Sequence, residues 1–218
     1  MALLSSILGG VSLMSSDSLP SVSREQLCIT EGQILRLESQ WMRVDSTKMR
    51  AVLGTPSRAE AELRFRYQGE TRELSRLRSG TERTQIGLKL RAQDDCNVVY
   101  VMWRIDSISK LVVSIKSNSG QRTQAECENR GYNNMKAARE RPLPEIEKGS
   151  EHSLRAALNR TSLVVSIDGV AVWEGNIADD ALRFDGPVGL RSDNASFDFQ
   201  FFARPENGAF SCGRGLRE

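Results

Sequence analysis

An aromatic and cationic set of side chains is the clearest chemical signal in the sequence. Tyr100 and Trp103 lie in the run VVYVMWRI, where successive side chains of a strand point to opposite faces. One of the two rings must therefore point away from the core. Aromatic rings beside polar hydrogen-bonding groups are typical of sugar-binding sites. We expect a ligand-binding surface on the concave sheet made of Tyr100, Trp103, Arg104, Arg91 and Tyr132. The alternative is that all of these rings pack in the core.

The elements that must position these residues are mostly strands. Residues 59–67 alternate apolar and charged side chains, which is typical of an antiparallel strand with one buried face. Asp168-Gly169 separates two apolar runs and predicts a two-residue hairpin turn. Residues 118–149 are the least regular part of the chain, and loops of this length are often functional. Many short strands and little helix predict an all-β fold, a two-sheet antiparallel β-sandwich or jelly roll.

Length and composition limit the class of protein. The chain has 218 residues, of which 39% are hydrophobic and 27% charged, as in a globular domain. A net charge of +2 argues against a dedicated nucleic-acid binder. No apolar run approaches the roughly 20 residues of a transmembrane helix. The single histidine, His152, excludes a multi-histidine metal site and is interpreted as a structural residue.

Composition also predicts the domain boundaries. Residues 1–24 are rich in serine and small apolar residues and are interpreted as an N-terminal arm or linker. Residues 25–205 form the sandwich, and residues 206–218 form a C-terminal tail. The apolar segment 1–14 is compatible with a weak signal peptide, a packed helix or a partner-binding segment. Self-assembly through residues 1–24 is therefore one alternative to be tested.

The four cysteines bear on the cellular compartment. No two of them are close in sequence, which excludes a CxxC zinc or redox motif. Cys28 and Cys212 lie near the two ends of the domain, where the first and last strands of a sandwich are often neighbours. Cys96 and Cys127 flank a predicted hairpin. Disulfides between these pairs would indicate an extracellular or cell-surface protein, whereas four free thiols would indicate a cytoplasmic one.

An ordered series of motifs occupies the second half of the sequence. It consists of GSEHSLRA (149–156), LVVSIDG (163–169), GPVGLR (186–191) and ASFDF (195–199). This order resembles the concanavalin A-like lectin/glucanase superfamily, and is most similar to laminin G-type and keto-disaccharide hydrolase-like domains. The resemblance extends over residues 149–203 by motif and over 59–117 by strand pattern. It implies a fold but no particular activity, because the superfamily includes lectins, adhesion modules, glycosidases and lyases.

The resemblance also implies a candidate calcium site. Laminin G-type domains often bind calcium at a sheet rim through carboxylate, amide and carbonyl oxygens, the hard ligands that this ion prefers. The corresponding residues are Asp193 and Asn194, and Asp94-Asp95 is a second candidate pair. The alternative is that they form an Asx turn. We expect no other cofactor.

Catalytic signatures of the superfamily are incomplete. Glucanases need paired carboxylates, and the nearest pair, Glu60 and Glu62, shares its strand face with arginines. Jelly-roll lyases use an arginine, a glutamine, a histidine and a tyrosine, but Gly87 lies where the histidine would follow Gln85-Ile86. We therefore expect a non-catalytic glycan-binding or adhesion module outside the cell or at its surface. The alternatives are an atypical polysaccharide lyase or glycoside hydrolase, and a structural subunit that docks through residues 1–24.

Overall fold

The computed structural model describes residues 18–77, 79–106 and 108–212. Its strands are β1 (Ser21–Val22), β2 (Leu27–Glu31), β3 (Leu35–Arg36), β4 (Met42–Val44), β5 (Lys48–Leu53), β6 (Ser57–Glu70), β7 (Gln85–Leu90), β8 (Val98–Arg104), β9 (Lys110–Lys116), β10 (Tyr132–Asn134), β11 (Arg139–Glu140), β12 (Glu151–Asn159), β13 (Ser162–Ile167), β14 (Val170–Asn176), β15 (Gly189–Asp193) and β16 (Ala195–Pro205). A short helix α1 (Gln124–Cys127) and 3₁₀ turns at Arg24–Gln26 and Asp179–Arg183 complete the described elements. None of the described helices has the length and apolarity needed to cross a bilayer.

The strands form two antiparallel sheets, which confirms the predicted all-β sandwich. The nine-stranded sheet has the order β11-β14-β13-β12-β6-β16-β4-β3, with β1 also paired to β16. The seven-stranded sheet has the order β10-β9-β8-β7-β15-β5-β2. Neighbours such as β6 and β16 are far apart in sequence, so long-range pairing determines which residues share a face.

The core fills the space between the sheets. On β6, Leu63 and Phe65 point inward and are fully buried, whereas Arg64 between them points outward. Phe197 on β16 packs edge-on against Phe65 with ring centroids 6.4 Å apart. Each large apolar side chain buried here contributes roughly 1.5–3 kcal/mol. The alternation read from the sequence therefore corresponds to one buried and one solvated face.

The predicted hairpin between β13 and β14 is present. Asp168 and Gly169 have φ values of 51° and 79°, as a primed two-residue turn requires. The Asp168 carboxylate also accepts a hydrogen bond from the Ser153 backbone N–H and lies 2.8 Å from His152 Nδ1. The imidazole packs against Phe65, with ring centroids 6.2 Å apart. These contacts give His152 a role in joining the hairpin to the core.

The described chain is packed beyond the predicted limits of 25–205 at both ends. Val22 is buried, and Ser21–Val22 pairs with β16. At the other end, the Ser211 N–H donates to the Gly54 carbonyl at 2.7 Å. Part of the predicted arm and part of the predicted tail therefore belong to the sandwich. Residues 1–17 and 213–218 lie outside the described residues.

Both expected disulfides are formed. Cys28 pairs with Cys212, which fastens the C-terminal segment to β2. Cys96 pairs with Cys127, which fastens α1 to the loop before β8. Two disulfides favour an oxidising environment over a cytoplasmic one.

Candidate functional site

A cavity of about 530 Å³ lies on the face of the seven-stranded sheet that points away from the core. Strands β2, β5, β7, β8, β9, β10 and β15 supply its floor and sides, and residues of the loops 71–83 and 117–131 add to its rim. The lining residues are Thr30, Glu31, Lys48, Arg50, Leu77, Ser79, Arg83, Gln85, Lys89, Asp95, Tyr100, Met102, Val112, Ser114, Gln124, Asn129, Tyr132, Asn134 and Arg191.

Strand alternation and register bring the lining residues together. On β7, Gln85 and Lys89 point to the cavity, while Ile86 and Leu88 between them point to the other face and pack in the core. The β7–β8 register places Lys89 opposite Tyr100. The β15–β5 register places Arg191 opposite Arg50. The floor of the cavity therefore carries cations and an aromatic ring from four adjacent strands.

Two tyrosines form an aromatic wall in the cavity. The rings of Tyr100 and Tyr132 are stacked, with centroids 6.1 Å apart and an interplanar angle of 22°. Burial raises the pKa of Tyr100, which remains a neutral phenol. The Arg191 guanidinium lies 4.9 Å from the centroid of the Tyr100 ring, and the Lys116 ammonium lies 5.4 Å from that of Tyr132. Tyr132 is 44% exposed and is the member of the pair that a ligand can reach.

A buried carboxylate orders the arginines of the floor. Asp193 Oδ1 accepts a hydrogen bond from Arg50 at 2.5 Å, and Oδ2 accepts from Gln85 at 2.7 Å and from Arg191 at 3.1 Å. Burial alone would raise the pKa of Asp193, but the two guanidinium groups and the Gln85 amide outweigh it and lower the pKa to about 2. Asp193 therefore stays charged and holds Arg50 and Arg191 in place.

The same contacts argue against the predicted calcium site. Both oxygens of Asp193 already accept hydrogen bonds from cationic or amide donors, as described above. The Asn194 side-chain oxygen accepts from the Ser75 N–H, and its NH₂ group donates to the Ser75 and Arg83 carbonyls. Calcium would have to displace two guanidinium groups. The described residues contain no metal-binding cluster of histidine, cysteine or acidic side chains. Asn194 instead fastens the loop 71–83 to the cavity rim.

Lys89 is the most unusual residue of the cavity. Its side chain is 1% exposed, and its ammonium makes no hydrogen bond or ion pair with any described residue. Burial lowers its pKa to about 8, partly opposed by Asp95 and reinforced by Arg50 and Arg191. Lys89 was not among the site residues predicted from the sequence. The sequence feature that could have identified Lys89 is its position inside the run QIGLKLR. Apart from the first and last residues, its neighbours in this run are apolar residues or glycine.

The structure retains two of the five predicted ligand-binding residues in the cavity. Tyr100 and Tyr132 line it, whereas Trp103 is 0% exposed and donates from Nε1 to Ser109 Oγ at 2.8 Å. The prediction for Trp103 was wrong because the pleat of β8 turns this ring toward the nine-stranded sheet. Arg104 pairs with the carboxylate of the nearby Asp106 at the end of the strand, at 2.7 Å, and does not line the cavity.

Arg91 is also misplaced in the predicted site. It follows the last residue of β7 with a φ of 48°, and its guanidinium donates to the Ala181 carbonyl at 3.0 Å. It lines a different depression, of about 740 Å³, beside Phe184 and Arg160. Its expected position beside Tyr100 is occupied by Arg191, which comes from a distant strand.

Neither catalytic pattern considered from the sequence is assembled in the cavity. Glu60 pairs with Arg155 at 2.6 Å, and Glu62 lies 3.7 Å from Arg64, both on the other sheet. A Cβ atom on Gly87 would lie 2.2 Å from the carbonyl oxygen of Val101. A histidine at position 87 would therefore require β8 to move.

Solved structures with a similar fold were found, although no family model and no curated protein matches the sequence. The carbohydrate-binding module CBM66 from Bacillus subtilis is 13% identical, with a TM-score of 0.54 over 84% of this chain and 96% of that one. The Crh5 transglycosylase in complex with NAG is 12% identical, with a TM-score of 0.52 over 90% and 87%. The Emp46p carbohydrate recognition domain is 12% identical, with a TM-score of 0.52 over 86% and 95%.

These likenesses define the class of fold. The fold of the chain is similar to that of concanavalin A-like, glucanase-type β-sandwiches, as the sequence motifs indicated. At this level of identity the likeness concerns the fold, and the activity has to be argued from the cavity of this chain.

Proposed function

We propose that this protein is a non-catalytic glycan-binding or adhesion module and that the cavity on the seven-stranded sheet is its binding site. The observation that carries the proposal is the stacked Tyr100–Tyr132 pair, which borders a cavity with guanidinium, amide and hydroxyl groups. Sugars bind on such surfaces because their C–H faces pack on aromatic rings while their hydroxyl groups form hydrogen bonds. CBM66 is a carbohydrate-binding module and the Emp46p domain is a carbohydrate recognition domain, which supports the same class of ligand.

The proposed location is outside the cell or at its surface. Both disulfides would persist in an oxidising compartment and would be reduced in most cytosols. Polysaccharides of the cell surface or matrix are also accessible there.

The test is a binding screen of the full chain against immobilised neutral and acidic polysaccharides. Tyr132→Ala should weaken binding about 5- to 150-fold, because a stacking contact on one aromatic ring contributes on the order of 1–3 kcal/mol. Tyr132→Phe retains the ring and should bind within a fewfold of the wild type. Val164→Ala, which removes an exposed apolar side chain from the other sheet, should have no effect. Equal binding by all variants would place the site elsewhere, and no binding to any glycan would refute the function.

Glycan cleavage is a second candidate, supported by one observation. Asp95 and Glu31 both line the cavity, and burial raises the pKa of Asp95, as a general acid requires. Reducing ends released during the binding screen would support this candidate. Their loss in Asp95→Asn, with binding retained, would assign Asp95 as a catalytic residue.

The alternative of a structural subunit depends on residues that the structure does not describe. Residues 1–17 contain most of the predicted arm. Light scattering of the full chain and of a variant lacking residues 1–17 would test it. An oligomer that becomes a monomer when residues 1–17 are deleted would support docking through the arm. The same number of subunits in both proteins would remove that support.

A further inference from the structure

The cavity contains more cationic than anionic side chains. Its cations are Lys48, Arg50, Arg83, Lys89 and Arg191, and its carboxylates are Glu31 and Asp95. Arg50 and Arg191 are neutralised in part by the buried Asp193 beneath them. The remaining cations have no such partner, so the cavity as a whole carries an excess of positive charge.

Three cationic side chains of the cavity make no direct ion pair with a described residue. Lys48, Arg83 and Lys89 form no side-chain hydrogen bond or ion pair with any described residue. The Nε atom of Arg83 is buried and has no hydrogen-bond partner. Lys89 is almost completely buried on the floor, and Arg83 projects from the loop at the rim. Buried charges in proteins are normally paired or bound to a ligand.

We propose that the cavity selects glycans that carry an anionic group, a carboxylate or a sulfate, and that this group binds to the Lys89 ammonium. This inference rests on the proposed glycan-binding function and specifies its ligand class. Asp95 and Glu31 act on the Lys89 ammonium without direct contact, so an anionic ligand can form the direct ion pair. Because the ammonium is buried, its desolvation is already complete before the ligand arrives. Arg83 and Lys48 at the rim attract the anionic chain toward the cavity.

Aromatic and cationic groups have separate parts in this arrangement. Tyr132 provides a stacking surface that any pyranose can use, whereas Lys89 discriminates by charge. Because both residues line the same cavity, one sugar residue can contact the ring while its acidic substituent reaches the floor. The preference for an acidic sugar is therefore separable by mutation from glycan binding itself.

The experiment uses pairs of polysaccharides that differ in charge: polygalacturonate with its methyl ester, and dextran sulfate with dextran. Affinity is measured by biolayer interferometry at two salt concentrations for the wild type, Lys89→Met and Arg83→Gln. Lys110→Met is the matched control, since Lys110 is an exposed lysine of β9 that does not line the cavity. Lys89→Met should weaken binding to the acidic member of a pair by roughly 10- to 100-fold and leave the neutral member unchanged.

The outcomes separate this inference from the function on which it rests. Binding to polygalacturonate but not to dextran sulfate would identify a carboxylate, and the reverse would identify a sulfate. Equal affinity for acidic and neutral members would overturn the inference and leave glycan binding intact. Absence of binding to any polysaccharide would overturn both. Single-stranded DNA that binds as tightly as the acidic glycans would show a general polyanion surface and would also overturn it.

Discussion

Lys89→Met should make the protein more stable while removing the proposed preference for acidic ligands. In the folded chain the ammonium is buried without a hydrogen bond to any described residue, and its pKa is lowered from 10.5 to about 8. That difference corresponds to about 3 kcal/mol by which folding disfavours the charged form. Methionine has a similar length and no charge, so the free energy of unfolding at pH 7 should rise by ~1–3 kcal/mol. Residues that serve function commonly reduce the stability of the folded protein, and a buried lysine in a binding cavity is consistent with such a trade-off.

The pH dependence distinguishes this reasoning from a general packing effect. A lysine whose pKa is lowered on folding binds fewer protons in the folded than in the unfolded state between the two pKa values. The wild type should therefore gain stability as the pH rises above about 8. Between pH 7 and pH 9 the gain should be ~1.4 kcal/mol, and Lys89→Met should lack it.

The assay is equilibrium unfolding in guanidinium chloride at pH 7 and pH 9, with the disulfides intact. Lys110→Met is again the control, because its side chain is exposed to solvent in the folded chain. It should show the same change with pH as the wild type. If the stabilities of the wild type and of Lys89→Met change in parallel with pH, the Lys89 ammonium is not desolvated as inferred, and the reasoning is refuted.

Two further changes test the framework of the site. Asp193→Asn should lower the free energy of unfolding by ~2–4 kcal/mol at pH 7, because two guanidinium groups lose their buried counter-charge. The pKa of Asp193 is lowered to about 2, so the difference in stability between the wild type and Asp193→Asn should shrink as the pH falls from 4 toward 2. Asp180→Asn is the control, because Asp180 forms an exposed ion pair with an arginine. It should change the free energy of unfolding by less than ~0.5 kcal/mol. Replacement of Cys96 and Cys127 by alanine opens a loop with a sequence separation of 31 and should cost ~4 kcal/mol in thermal or chemical unfolding. A double variant as stable as the wild type would show that the loop is held by its other contacts.

The strands and their two faces were largely predictable. The alternation in residues 59–67 predicted both β6 and its buried side chains, because a period of two is a local property of extended backbone. The hairpin at Asp168-Gly169 was predictable for the same reason, since its turn depends on the backbone freedom of two adjacent residues. Both disulfide pairs were proposed from the expected closeness of their strands and loops.

The site was only partly predictable. The pattern of β8 requires Tyr100 and Trp103 to point in opposite directions, but it does not say which one faces the core. Stacking of the two sheets buried Trp103 and left Tyr100 on the cavity side. Asp193 was expected to be a calcium ligand from the resemblance to laminin G-type domains, and only the tertiary structure shows that its oxygens face two arginines and a glutamine.

The sequence by itself determined the fold class, because strand periodicity, turn residues and the ordered motifs are all encoded in short segments. The candidate binding site depends on the tertiary structure. Lys89, Arg50 and Arg191 come from three strands that are far apart in sequence, and only the register of β7, β15 and β5 makes them neighbours. The burial of Lys89, and its lack of a direct ion pair with any described residue, result from those pairings and from the loops that form the rim, so no local pattern could have shown them.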